Sequence, residues 1–299
     1  SPFTAVELGT LVTKGLLDKT KLKKDKIDQV IFGNVLQAGN GQNVARQIAL
    51  NSGLPVDVPA MTINEVCGSG MKAVILARQL IQLGEAELVI AGGTESMSQA
   101  PMLKQYQSET NEYGEPISSM VNDGLTDAFS NAHMGLTAEN VATQFSVSRE
   151  EQDRYALSSQ LKAAHAVEAG VFSEEIIPVK ISDEDVLSED EAVRGNSTLE
   201  KLGTLRTVFS EEGTVTAGNA SPLNDGASVV ILASKEYAEN NNLPYLATIK
   251  EVAEVGIDPS IMGIAPIKAI QKLTDRSGMN LSTIDLFEIN EAFAASSIV

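Results

Sequence analysis

Apolar positions along the first hundred residues recur with two periods. Residues 5–17 carry Val6, Leu8, Leu11, Val12 and Leu16 at helical spacing, and residues 27–35 (Ile-Asp-Gln-Val-Ile-Phe-Gly-Asn-Val) read as a strand. Residues 43–51 give a second helical stretch, closed by Gly53. Residues 59–66 are strand-like and run into Cys67-Gly68-Ser69-Gly70. Residues 71–83 then set Val74, Ile75, Leu76, Leu80, Ile81 and Leu83 largely on one helical face, ending at Gly84. Residues 88–91 (Leu-Val-Ile-Ala) form a short buried strand that Gly92 and Gly93 are expected to terminate. Strand, helix, strand in this order predicts α/β layering with a mainly parallel sheet.

Beyond Glu95 the periodicity weakens. Residues 98–135 are rich in Ser, Met, Asn and Gly and read as a long excursion. Two helices follow, over residues 137–145 and from Ser148 to about Gly170. The second has a capping-box signature, Ser148 with Glu151 three residues on. Residues 182–191 are dense in Asp and Glu and fit a solvated turn. Residues 215–225 are a Gly/Asn/Ser/Pro stretch, residues 227–233 a buried strand, and residues 245–255 a strand opening a third region. A short internal echo links residues 26–34 with residues 283–290, each an apolar strand ending in Asn. It suggests two similar halves.

Composition narrows the function. The chain has 299 residues, enough for about two domains at ~150 residues each. Lys and Arg number 22 against 40 Asp and Glu, a net charge of −18. Such a surface repels nucleic-acid backbones and anionic membranes, so neither is an expected partner. A single cysteine excludes an intramolecular disulfide framework and Cys-rich zinc sites. No apolar run reaches the ~18 residues that span a bilayer, and Ser-Pro-Phe-Thr at the start has no signal-peptide character. The expectation is a soluble, cytoplasmic protein.

Cys67 is the sharpest candidate for chemistry. Between an apolar strand and an amphipathic helix, it meets unpaired helix N–H groups and partial positive charge, which favour a thiolate. A free cysteine is also a common small core hydrophobe, and the flanking Gly68 and Gly70 tilt the choice toward function. His165 falls mid-helix and fits a surface role. His133, just before Met134-Gly135, fits a base, a polar ligand contact or an idle loop residue equally. No paired-His metal spacing is present. Gly92-Gly93-Thr94-Glu95 lacks the remaining residues of a dinucleotide or phosphate loop, so tight packing explains its glycines better. Asn290-Glu291-Ala292-Phe293-Ala294 follows an apolar strand, where open α/β sheets place ligand-binding residues; equally, Asn290 fits an ordinary helix cap.

Together these segments resemble the thiolase family. Residues 64–73 (Asn-Glu-Val-Cys-Gly-Ser-Gly-Met-Lys-Ala) match the segment bearing its acyl-accepting cysteine, and residues 91–98 match its glycine-rich strand end. Residues 125–129, 133–140 and 213–221 look like its coenzyme A-binding loop domain, and residues 290–294 match its Asn-Glu-Ala-Phe motif. The similarity runs along essentially the whole chain in order.

The resemblance implies duplicated α/β halves with mainly parallel or mixed sheets between helices: residues 1–96 with 225–245, an inserted loop domain over 97–224, and the incomplete start of a second half over 246–299. It implies acetyl-CoA acetyltransferase chemistry with Cys67 as nucleophile and its own N–H as oxyanion donor. Asn290 would hold a water in a second oxyanion hole. Leu125, His133 and Met134 would line the pantetheine channel, with Ala217, Ala220, Ser221 and Leu223 beside it. Arg194 and Phe209 would lie toward the nucleotide, Met262, Ala292 and Phe293 at the acyl pocket. Lys201 stands where the family can carry Ser, a cation for an anionic coenzyme. Coenzyme A thioester is then substrate, with no permanently bound cofactor, and a homodimer or homotetramer serving mevalonate or fatty-acid metabolism is expected. The His-Met-Gly segment favours the short-chain branch over a longer-chain 3-ketoacyl-CoA thiolase; a non-catalytic acyl-CoA binder and the thiolase portion of a fused mevalonate-pathway enzyme are further alternatives. The family's Gly-His-Pro-type and Cys-x-Gly-Gly-Gly motifs are not among the 299 residues, and its first strand is missing or compressed. That leads to the expectation of a chain truncated at both ends and inactive alone.

Overall fold

The computed structural model describes residues 2–299, which divide into two compact units. The first comprises the residues up to Leu125 together with 179–186 and 223–249. Helix α1 (Ala5–Thr20) opens on a capping box, with Thr4 accepting from the Glu7 N–H while the Glu7 carboxylate takes the Thr4 N–H. Strand β1 (Gln29–Gly33), helix α2 (Val44–Asn51), strand β2 (Ala60–Ile63), helix α3 (Ser69–Gln82) and strand β3 (Leu88–Ser96) follow. Short hairpins pair β4 (Met102–Leu103) with β7 (Ile117–Ser118) and β5 (Tyr106–Gln107) with β6 (Glu112–Tyr113), where the sequence shows only an irregular excursion. Two-residue strands β8 (Val179–Lys180) and β9 (Val186–Leu187) precede strand β10 (Asp225–Ala233) and helix α7 (Lys235–Asn240).

The central sheet has the order β10-β3-β1-β2. Its period-2 pattern feeds two cores. Val30, Phe32, Leu88 and Ile90 pack with α1 and α2 residues such as Val6, Leu17 and Ile48, and Ile31, Val89 and Ala91 pack with Ala73 and Ala77 of α3. The α/β class is as expected. The sheet is mixed, within the mainly parallel or mixed sheets expected: β1 pairs in parallel with β2 and β3, and β10 runs antiparallel to β3 over nine residues. That ladder also explains why β3 does not stop at its glycines. A methyl on Gly92 would lie 2.4 Å from the Ser228 carbonyl oxygen, so these glycines let β10 and Phe32 approach rather than ending the strand.

The second unit comprises residues 126–178, 187–222 and 250–299. It holds helices α4 (Met134–Gln144), α5 (Arg149–Glu168), α6 (Leu199–Gly203), α8 (Ala265–Ser277) and α9 (Ala294–Ile298). The Ser148–Glu151 capping box at the start of α5 is formed as expected. Two expected strands are not. Among the described residues no strand pairs with 245–255 or 284–289; apolar content alone does not supply a ladder partner. The echo between the two Asn-terminated segments is therefore structural only in β1. Asn290 is likewise no helix cap: α9 begins at Ala294, with Phe293 at its N-cap position.

Candidate active site

In the first unit, the turn joining β2 to α3 carries Cys67 with its thiol free and exposed. Val66 sits at φ +49°, a left-handed conformation that costs a β-branched residue on the order of 1–3 kcal/mol. Side-chain bonds hold it there. Asn64 Oδ1 accepts from the Val66 N–H at 2.9 Å, and Ser69 Oγ donates to the Val66 carbonyl at 2.6 Å while accepting from the Glu65 N–H at 2.8 Å. The turn therefore fixes Cys67 two residues ahead of the first turn of α3, where helix N–H groups favour negative charge.

The floor under this turn is glycine. A methyl on Gly33 would lie 2.5 Å from the Ser69 carbonyl carbon, and one on Gly93 would lie 3.3 Å from the Gly70 Cα. Next to it, Glu95 at the end of β3 accepts from Val35 N–H (2.8 Å), Leu36 N–H (3.1 Å) and Asn34 Nδ2 (2.8 Å). Burial pushes the Glu95 carboxyl above its ordinary value, and those hydrogen bonds oppose the shift.

In the second unit, a turn in which Asp127 N–H donates to the Ala132 carbonyl delivers His133 to the start of α4. His133 Nδ1 caps the helix by accepting from the Gly135 N–H at 3.0 Å, which assigns the ring proton to Nε2. The imidazole stacks on Phe209 with centroids 4.7 Å apart, and Phe209 meets Phe293 edge-on at 6.3 Å. Burial lowers the His133 pKa below its usual range. Gly135 is required here, since a methyl would penetrate the Phe209 ring.

The loop over residues 213–221 is held by buried and half-buried polar groups. Glu139 of α4 accepts from the N–H groups of Thr214 and Val215 and from Thr214 Oγ1, all within 2.8–2.9 Å. Gln152 donates to Thr214 Oγ1 at 2.9 Å, and Asn219 Nδ2 donates to Asp153, itself paired with Arg149 at 2.7 Å. The loop in turn carries the Asn-Glu-Ala-Phe segment. Ser221 N–H donates to the Ala292 carbonyl and Ala294 N–H to the Asn219 carbonyl, both at 2.9 Å, while Ala220 and Phe293 form a β-bridge. Glu291 is gripped by Tyr155 Oη (2.7 Å) and Ser159 Oγ (2.6 Å) of α5.

The structure thus gathers His133, Phe209, Ala220, Ser221, Ala292 and Phe293 into one contiguous cluster. Met134 opens α4 half-buried beside it, and Met262 lies on a 3-10 helix (Pro259–Ile264) whose Ser260 carbonyl accepts from Asn140 of α4. Ala217 is exposed on the loop, and Asn290 is exposed one residue before Glu291. Arg194 is exposed, its N–H donating to Gln160 of α5; Lys201 Nζ donates to the Asn196 carbonyl. Leu125 and Leu223 belong to the first unit, with Cys67. The sequence does not single out Glu139, Gln152 or Asp153 as site residues. Their residue types carry no local signal of that role, because the Thr214, Val215 and Asn219 groups they bind lie far along the chain.

Among the described residues no group of three or more His, Cys, Asp or Glu is placed to hold a metal ion, and no helix is long and apolar enough to cross a membrane. Family models place the chain directly: the thiolase N-terminal domain matches residues 1–236 and the thiolase C-terminal domain residues 243–299. The chain belongs to the thiolase family. A probable acetyl-CoA acyltransferase of Staphylococcus aureus (strain COL) is 49% identical over 300 residues, covering 98% of this chain and 76% of the relative. The crystal structure of the Bacillus anthracis acetyl-CoA acetyltransferase is similar at 40% identity and TM-score 0.94, and that of human mitochondrial 3-ketoacyl-CoA thiolase at 41% and 0.95; each covers 99% of this chain and 76% of the other. A thiolase from Ascaris suum, solved in complex with coenzyme A, is similar at 39% and 0.93, over 99% of this chain and 77% of that one. The protein is an acyltransferase of thiolase type. Because both family domains are matched along nearly the whole chain, the expectation of inactivity receives no support.

Proposed function

We propose that the protein is an acetyl-CoA acetyltransferase, joining two acetyl-CoA into acetoacetyl-CoA and coenzyme A, and reversing that reaction by thiolysis. The observation that carries this reading is the exposed Cys67 on a strained, hydrogen-bonded turn at the opening of α3. Its sulfur attacks the thioester carbonyl; the C–S bond to coenzyme A breaks, the coenzyme leaves as thiolate, and an acetyl-cysteine remains. A second acetyl-CoA loses an α-proton, which in the overall balance turns the coenzyme thiolate released in the first step into its thiol; the carbanion attacks the acetyl-cysteine carbonyl, the new carbon–carbon bond forms, and the Cys67 sulfur is expelled as thiolate. Asn290 serves as the water-holding oxyanion group that eases enolate formation.

The remaining residues divide by task. Leu125, His133, Met134, Ala217, Ala220, Ser221 and Leu223 hold the pantetheine arm, Arg194, Lys201 and Phe209 serve the nucleotide, and Met262, Ala292 and Phe293 border the acyl group. The same reading assigns residues 97–224 to a coenzyme-binding insertion and makes the active species a cytoplasmic homodimer or homotetramer without a resident cofactor. The comparable likeness to a 3-ketoacyl-CoA thiolase favours a second reading, longer acyl chains, which chain-length profiling decides.

The direct test is mass spectrometry after incubation with acetyl-CoA, using the product of the complete coding sequence. One acetyl group is expected on Cys67 and none on the Cys67→Ala variant. A folded protein that takes up no acetyl group overturns the covalent mechanism.

A further inference from the structure

Glu95 has a geometry that nucleophile and coenzyme contacts do not account for. Its half-buried carboxylate meets no cation among the described residues; its hydrogen-bond donors all come from the three residues that follow β1. Asn34, 1% exposed, donates to Glu95 and to the Thr94 carbonyl, which locks the ends of β1 and β3 together at the carboxyl edge of the sheet. A carboxylate used this way works as a staple, since two main-chain N–H groups and one amide depend on it.

Two consequences follow from what the stapled segment touches. Gly33, immediately before it, packs against the backbone of Ser69 and Gly70 and so supports the turn bearing Cys67. Leu36, within it, is 3% exposed and lies 3.6 Å from where a methyl on Gly124 would sit, backing the residue before Leu125. We infer that Glu95 is a positioning residue that fixes the Cys67 turn and the Leu125 wall in one register. In this role Glu95 acts through its hydrogen bonds to the Asn34, Val35 and Leu36 segment rather than on the acyl group or the coenzyme. The inference rests on the acyl-transfer reading above and adds to it a residue outside the reacting set.

Positioning and intrinsic thiol reactivity separate experimentally. In the full chain, Glu95→Ala is compared with wild type for single-turnover acetylation of Cys67 at saturating acetyl-CoA and for alkylation of Cys67 by iodoacetamide. Acetylation needs an aligned thioester, and a misplacement near 1 Å costs up to about 100-fold, so a loss of roughly tenfold or more is expected. Alkylation by the small reagent is expected to hold within about twofold of wild type by the same argument. Glu95→Gln, which keeps one carbonyl acceptor, is expected to fall between. Wild-type acetylation by a folded Glu95→Ala protein, or an equal fall in both reactions, overturns the inference. If Glu95→Ala fails to fold, Glu95→Gln decides on the same criteria, and failure of both to fold makes Glu95 a stability residue only. A wild-type protein that takes up no acetyl group defeats the functional reading itself, and this inference falls with it.

Discussion

Burial beside Phe209 and a helix-capping task both favour a neutral His133 imidazole. Protonating Nδ1 would remove the acceptor that the Gly135 N–H uses at the start of α4. The folded pKa lies below the ordinary value of 6.5, so the stability His133 contributes is present above that value and is lost as pH falls through the depressed one. His133→Asn, which retains a capping oxygen without titrating, is the reference. The stability advantage of wild type over this variant is expected to shrink as denaturant melts are repeated from pH 7 downward through about 6.5 and below. A constant difference would show that His133 does not titrate against the fold. The sequence displays His133 but leaves its role open, because the ring it stacks on, Phe209, comes from far along the chain and is itself met by Phe293. Cys67 was more legible: the glycines and the strand-to-helix switch are local. The left-handed Val66 was not, since nothing in its type announces a positive φ.

Among the elements, α4 organises the second unit's candidate site through Glu139. That carboxylate gathers two main-chain N–H groups and one hydroxyl from the loop bearing Ala217, Ala220 and Ser221. Glu139→Gln keeps one acceptor oxygen and turns an NH2 toward remaining donors, at a cost of roughly 1–3 kcal/mol. Faster hydrogen exchange over residues 213–221 and weaker coenzyme A binding are expected together; unchanged exchange would remove Glu139 from that role. Elements fixed by local signals were readable, as the capping box at Ser148 and Glu151 illustrates. Those fixed by distant partners were not. β3 continues through Gly92 and Gly93 because β10 lies alongside, more than a hundred residues later in sequence. Residues 284–289 show the converse, an apolar strand-like stretch that finds no ladder partner among the described residues.

At the scale of all 299 residues, net charge is the property that needs no coordinates. At −18 these 299 residues repel an incoming coenzyme phosphate at long range, while in the proposed assignment Arg194 and Lys201 offer it cations only at short range. These two contributions respond oppositely to salt. Raising ionic strength from about 10 mM to about 100 mM shortens the screening length from roughly 30 Å to roughly 10 Å. The long-range repulsion is then largely removed, whereas close contacts are screened less. The association rate of coenzyme A, followed by stopped-flow, is therefore expected to rise over this range, the reverse of a site steered by a basic surface. A falling rate would mean that local cations, rather than the acidic surface as a whole, govern approach. Repeating the measurement with Lys201→Ser separates the two: the variant should bind more slowly at every salt concentration while keeping the same upward trend.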